Sequence, residues 1–115
     1  MTYAAVVRLG LALPGVEEST SYGTPALKVK GSLMTRLWED GTTLVMKTTF
    51  EERDELMAAD PKTYYVTDHY LGYPWVLIRL PRVHPDALND LLHAAHRLAS
   101  SEKRRSRKKA AGARQ

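Results

Sequence analysis

The chain has no cysteine, which removes disulfides, thiolate metal sites and cysteine nucleophiles together and leaves packing as the source of stability. Long apolar runs are missing too. No segment approaches the roughly 20 residues needed to cross a bilayer, and no basic stretch followed by an apolar one opens the chain as a signal peptide would. A cytoplasmic protein without a membrane partner is the expectation. Phosphate-cradling loops of the Gly-x-Gly-x-x-Gly or Gly-x-x-x-x-Gly-Lys kind do not occur, nor does a Gly-x-Ser-x-Gly elbow. No motif therefore calls for a cofactor.

Positive charge is scarce outside one end. Of 17 Lys and Arg, seven lie after Ser101 with a single acid, Glu102, so residues 1–101 carry ten cations against twelve acids, a balance of −2. The overall +4 and the pI near 9.5 describe a tail, and only the tail reads directly as an electrostatic footprint for polyanions. What remains is ordinary for a single globular domain: 115 residues, 43% of them hydrophobic, within the usual size range of one core.

Periodicity supplies the elements. Thr2 is placed to cap a helix in which Val6, Leu9 and Leu13, with Val7 and Leu11 alongside, recur at roughly helical spacing until Pro14-Gly15. "ALKVKGSLMTRLWEDGTTLVMK" alternates with period two in three pieces, around Leu27/Val29, Leu33 to Leu37 and Leu44/Met46, separated by Gly31-Ser32 and by Asp40-Gly41. An antiparallel meander results, with a further strand expected near Val16 to Thr20. Thr49 and Glu52 match a capping box, and Phe50, Leu56 and Met57 are expected to turn toward the sheet from a short helix ending at Asp60-Pro61. Tyr64 to Val66 and Trp75 to Leu80 read as two more strands around a Gly-Tyr-Pro break. Pro85 then opens an amphipathic helix with Leu88, Leu91, Leu92, Ala95, Leu98 and Ala99 along one stripe. The predicted fold is α+β: an antiparallel sheet of five to six strands, an N-terminal helix, a short middle helix and a C-terminal amphipathic helix. One domain spans residues 1–100, and 101–115 reads as a disordered basic tail.

Few residues offer chemistry. Asp68-His69 supplies two members of a hydrolytic arrangement without the third, and neighbours in an extended chain point apart; Asp68 is read as holding loop N–H groups and His69 as packing on the sheet edge. His93 and His96, with Asp86 and Asp90 on neighbouring turns, form the polar flank of a helix, and no metal is expected. Glu17-Glu18 reads as a solvated pair. Cations remain for nucleic-acid phosphates: Lys28, Lys30, Arg36 and Lys47 on the outward side of the meander, Arg79 on a later strand, and Lys103, Arg104, Arg105, Arg107, Lys108 and Lys109 in the tail.

"SYGTPALKVKGSLMTRLWEDGTTLVMK", "ERDEL" and "YYVTDHYLGYPWVLIRL", followed by the closing helix, are similar to the MmcQ/YjbR-like family of small bacterial proteins. Gly23-Thr24-Pro25-Ala26 and Gly72-Tyr73-Pro74-Trp75-Val76 carry most of the resemblance. It implies an α+β, CyaY-like fold, described as a double-wing DNA-binding arrangement, and no catalytic residues. The expectation is a non-enzymatic monomer that binds DNA weakly through those cations, with His69, Tyr70 and Trp75 lining a surface near the sheet edge. Two alternatives stand beside it: a small-ligand binder or enzyme with a pocket around Asp68, His69, Tyr70 and Tyr73, and a protein–protein module offering an open sheet edge.

Overall fold

A computed structural model describes the backbone of residues 1–113 and the side chains of residues 1–101. The expected tail and its cations, Lys103, Arg104, Arg105, Arg107, Lys108 and Lys109, lie outside those side chains. Three helices, α1 (Tyr3–Leu11), α2 (Phe50–Ala59) and α3 (Pro85–Ala113), accompany six strands: β1 (Val16–Ser21), β2 (Thr24–Val29), β3 (Ser32–Leu37), β4 (Thr43–Lys47), β5 (Tyr64–Tyr65) and β6 (Trp75–Arg79). The strands form one sheet in the order β1-β2-β3-β4-β6-β5, and every neighbouring pair is antiparallel. This is the α+β architecture that the hydrophobic periods predict.

Local chemistry sets the boundaries. The Thr2 hydroxyl accepts the Ala5 N–H at 3.2 Å to start α1, and the Thr49 hydroxyl accepts the Glu52 N–H at 3.1 Å to start α2, each satisfying a donor that the first helical turn leaves unpaired. Two-residue turns join β1 to β2 and β2 to β3. Tyr22-Gly23 and Lys30-Gly31 have φ of 52°, 77°, 51° and 81°, as type I′ hairpins require. The β3–β4 connection is organised by Asp40, whose carboxylate accepts the N–H groups of Thr42 and Thr43 at 3.0 Å each and the Thr43 hydroxyl at 2.7 Å. Although desolvation acts to raise the Asp40 pKa, these bonds outweigh it and hold the carboxyl below its ordinary value. The loop-holding aspartate predicted at Asp68 is thus found at Asp40; turns between residues 67 and 73 close through backbone bonds such as Tyr70 N–H to the Thr67 carbonyl.

Register divides the sheet into two unlike faces. Cross-strand partners share a face, so the pairs Leu44↔Ile78 and Met46↔Val76 fall on one side while Val45↔Leu77, Lys47↔Trp75 and Thr43↔Arg79 fall on the other. The first side is the core. There Leu27, Val29, Met34, Leu44, Met46, Val76 and Ile78 pack with Val6 of α1 and with Leu88, Leu92, Ala95 and Ala99 of α3, the stripe read from the sequence. A register shift at Leu27/Lys28 lets Met34 enter this core although Thr35 pairs with Leu27 on the same side. At Gly10 a Cβ would collide with Leu27 Cδ1, so glycine is what brings α1 down onto β2.

The other side carries no packed helix across its centre. α2 meets the sheet mainly at β5 and β6, and its stripe differs from the expectation. Leu56 and Met57 pack on the core as predicted, whereas Phe50 is 46% exposed and the buried residue of the helix is Arg53. The physical reason lies in the loop that Arg53 holds.

Candidate ring-binding cleft on the open sheet face

Residues 66–74 leave β5 and fold back over the helix-free face before entering β6. Such a loop has many carbonyls and few ladder partners. Arg53 supplies donors to four of them: its guanidinium donates to the carbonyls of Tyr73 (2.8 Å), Leu71 (3.0 Å), Tyr70 (3.2 Å) and Trp75 (3.2 Å). No carboxylate pairs with it in an ion pair among the described residues. A buried cation is tolerated where its charge is compensated, here by a fan of carbonyls at its two terminal nitrogens, while Nε has no hydrogen-bond partner among the described residues and the guanidinium lies 5.0 Å above the Phe50 ring. Phe50 is drawn outward as the cover of Arg53 rather than inward to the core. Helical spacing already set Arg53 between Phe50 and Leu56/Met57, on the buried stripe, which is the signal sequence reasoning passed over.

A second buried arginine holds the loop from the sheet side. Arg36 was expected on the outward side of the meander as a phosphate contact. It does lie on the helix-free face, paired with Val45 and Ala26, but it is only 4% exposed. Its guanidinium donates to the Tyr70 hydroxyl (2.7 Å), Glu39 Oε1 (3.0 Å) and the Thr24 hydroxyl (3.1 Å), and it lies 5.2 Å from the Tyr22 ring centroid. Burial acts to lower the pKa of Arg36; the bonds to Tyr70 and Glu39 outweigh it and leave the pKa raised. Arg36 is a strut between loop and sheet, and its charge is matched by Glu39.

Between these struts lies a concavity of about 280 Å³. Leu33, Val45 and Trp75 of the sheet line it, with Tyr22 from the β1–β2 turn and His69, Tyr70 and Tyr73 from the loop. A second compartment of about 260 Å³ shares Tyr22, Arg36, His69 and Tyr70 and extends to Trp38, Glu39 and Thr67. His69 stands edge-on to Tyr70, centroids 4.8 Å apart. The three residues expected near the sheet edge, His69, Tyr70 and Trp75, are therefore brought together, and Tyr73 joins them as the pocket reading anticipated. Asp68 is exposed and lines neither compartment. Tyr22 and the aliphatic floor were not foreseen; Tyr-Gly before Thr-Pro signalled a turn, and nothing in the pattern said that the turn overhangs the sheet.

The remaining expected cations surround the cleft. Lys28, Lys47 and Arg79 share its face by register, and Lys30 sits exposed in the β2–β3 turn. Aromatic rings brace two of them: the Lys47 ammonium lies 4.7 Å from the Trp75 centroid and the Arg79 guanidinium 3.9 Å from that of Tyr65. Glu17 faces Lys28 across the β1–β2 ladder. Elsewhere His96 Nε2 is 2.7 Å from the Pro14 carbonyl, and no group of three or more His, Asp or Glu side chains able to hold a metal forms among the described residues.

Fold and site together define a small α+β domain with one packed face and one open, aromatic face. The YjbR family model matches residues 11–98, more than half of the chain, and the protein belongs to that family. In three dimensions it is similar to the crystal structure of Deinococcus radiodurans protein DR2400, a DUF419-domain protein, with TM-score 0.73 and 24% identity over 84% of this chain and 77% of that one. At that identity the likeness speaks for the fold. No curated protein matches the chain, and among the described residues no helix is long and apolar enough to cross a membrane.

Proposed function

We propose that this YjbR-family protein is a non-enzymatic module that binds DNA weakly through the helix-free face of its sheet. One observation carries the reading: Lys28, Lys47 and Arg79, far apart in sequence, come to the same face by register, the face that no helix covers. Phosphate contacts need cations at a common surface, and the ring contacts of Lys47 and Arg79 lower the cost of ordering these side chains on binding. Affinity is modest for an equally concrete reason. Glu17 beside Lys28 and Glu39 on Arg36 reduce the field, and the domain is mildly acidic overall. Lys30 in the adjoining turn extends the footprint, with the tail cations Lys103 to Lys109 as a second, independent polyanion contact.

Salt titration of binding to random duplex tests this. Each phosphate contact contributes about 0.9 to the slope of log K against log salt, so Lys28→Ala combined with Lys47→Ala should lower the slope by nearly two. An unchanged slope assigns binding to the tail, and no binding at low salt ends the DNA reading altogether.

A further inference from the structure

The cleft beside those cations has a chemistry of its own, unlike that of a phosphate site. Its walls are rings and aliphatic groups, and its one buried cation, Arg36, already faces Glu39 at 3.0 Å. Tyr70 lines both compartments and brings a hydroxyl to them. Its oxygen accepts from Arg36 at 2.7 Å, which directs the phenol hydrogen away from the guanidinium, and that hydrogen has no acceptor among the described residues. A hydroxyl polarised by a charged donor is a stronger donor in turn. The lip is formed by two rings that the fold leaves in water, Tyr22 at 85% and Tyr73 at 59% exposed. Tyr22 is moreover held at φ 52°, a left-handed position that a bulky residue adopts at a cost and that asparagine or glycine fills more readily. A strained, solvent-exposed tyrosine overhanging a cleft is poorly explained by stability.

We propose that this cleft binds a single planar ring carrying a hydrogen-bond acceptor, of the size and kind of a nucleobase, stacked against Tyr22 and Tyr73 and accepting from the Tyr70 hydroxyl. Size limits the occupant: about 280 Å³ falls just below the range of roughly 300–1,000 Å³ typical of larger organic ligands, so one ring system fills it. The adjoining compartment, reached past Tyr22 and Arg36, gives the ring's substituent a way out. Such a ring comes either from a free nucleoside or from an unpaired base within a strand. The inference does not depend on the duplex-binding proposal, since it uses none of Lys28, Lys47 or Arg79.

Both tryptophans of the chain line the two compartments, Trp75 in the first and Trp38 in the second, so intrinsic fluorescence of the full-length protein reports occupancy. Thymidine, uridine and oligothymidylate are titrated in turn, with ribose 5-phosphate and sealed duplex as controls for phosphate alone. The expected result is saturable quenching by a ring-bearing probe, weakened about tenfold by Tyr22→Asn and by Tyr70→Phe, and no quenching by ribose 5-phosphate. Quenching by the nucleosides identifies a free ring as sufficient; quenching by oligothymidylate alone, with the same sensitivity to both variants, identifies an unpaired base as the source. Tyr22→Asn, at an exposed turn, guards against loss of fold in Tyr70→Phe. The proposal is overturned if no ring-bearing probe quenches, or if quenching survives both substitutions at full affinity. Salt-dependent duplex binding alongside either failure would leave the DNA reading standing and end this one.

Discussion

The two faces of one sheet are made from the same strands and obey opposite rules. On the helix-covered face the residues are aliphatic, fully buried and interchangeable in kind: Leu27, Val29, Leu44, Met46, Val76 and Ile78. On the open face, one position along each strand, stand Arg36, Lys47, Trp75 and Arg79, interleaved with Val45 and Leu77, which are just as buried as the core. The difference teaches that burial alone does not mark the structural face. What marks it is whether each polar group is there to fill space or to hold a particular shape, and both Arg36 and Arg53 hold the shape of a loop.

The contrast should be visible in stability first. Ile78→Ala, in the centre of the covered face, should cost roughly 2–5 kcal/mol because it loses transfer energy and leaves a cavity, measured by urea denaturation. It should act globally, lowering protection of all strand amides together. Arg53→Met should cost about 2–3 kcal/mol, since removing a charged donor leaves up to four carbonyls without their partner. Its signature is local: hydrogen exchange should quicken in residues 66–75 well before the β2–β4 ladder responds. If Arg53→Met loosened the whole sheet evenly, the distinction between the faces would fail.

Smaller effects have the opposite sign. Tyr22→Asn should stabilise the protein by about 0.5–1 kcal/mol by relieving a left-handed tyrosine, while weakening ring binding; a loss of stability would mean that Tyr22 is a packing residue after all. Tyr3, on the covered side, provides a pH test. Its buried hydroxyl has no hydrogen-bond partner among the described residues, and desolvation, with the nearby Glu18 carboxylate, pushes its pKa from 10.0 up to about 12. Because the folded state retains the phenol proton, stability is intact below pH 10 and falls as pH rises toward 12. Tyr64, also raised by burial, adds to the same loss, so Tyr3→Phe should shallow the alkaline decline without abolishing it and be neutral or slightly stabilising at pH 7.

Legibility in the sequence followed the same division. Period-two and helical spacing depend on which residues avoid water, and that sufficed for the order of elements and for the α3 stripe from Leu88 to Ala99. The family resemblance drawn from Gly23 to Ala26 and Gly72 to Val76 agrees with the match over residues 11–98. The same rules put Arg36 on its proper face but do not predict its burial, nor the exposure of Phe50, because they send charge to solvent and aromatic rings to the core. Which acceptors a buried arginine will meet depends on where a distant loop returns, as between Arg36 and the Tyr70 hydroxyl, 34 residues apart, or Arg53 and the Tyr73 carbonyl, 20 residues apart. Periodicity holds no record of that. His69, Tyr70 and Trp75 could be gathered from proximity along the chain; Tyr22, Leu33 and Val45 could not.

Amide chemical shifts of the full-length protein, followed as oligothymidylate is added at low salt, test most directly whether the open face is the working face. The account predicts perturbations concentrated at Tyr22, Arg36, Lys47, residues 69–75 and Arg79, with α1 and the Leu88 to Ala99 stretch of α3 unmoved. Perturbations confined to residues beyond Ser101, or spread over the helix-covered side, would contradict it.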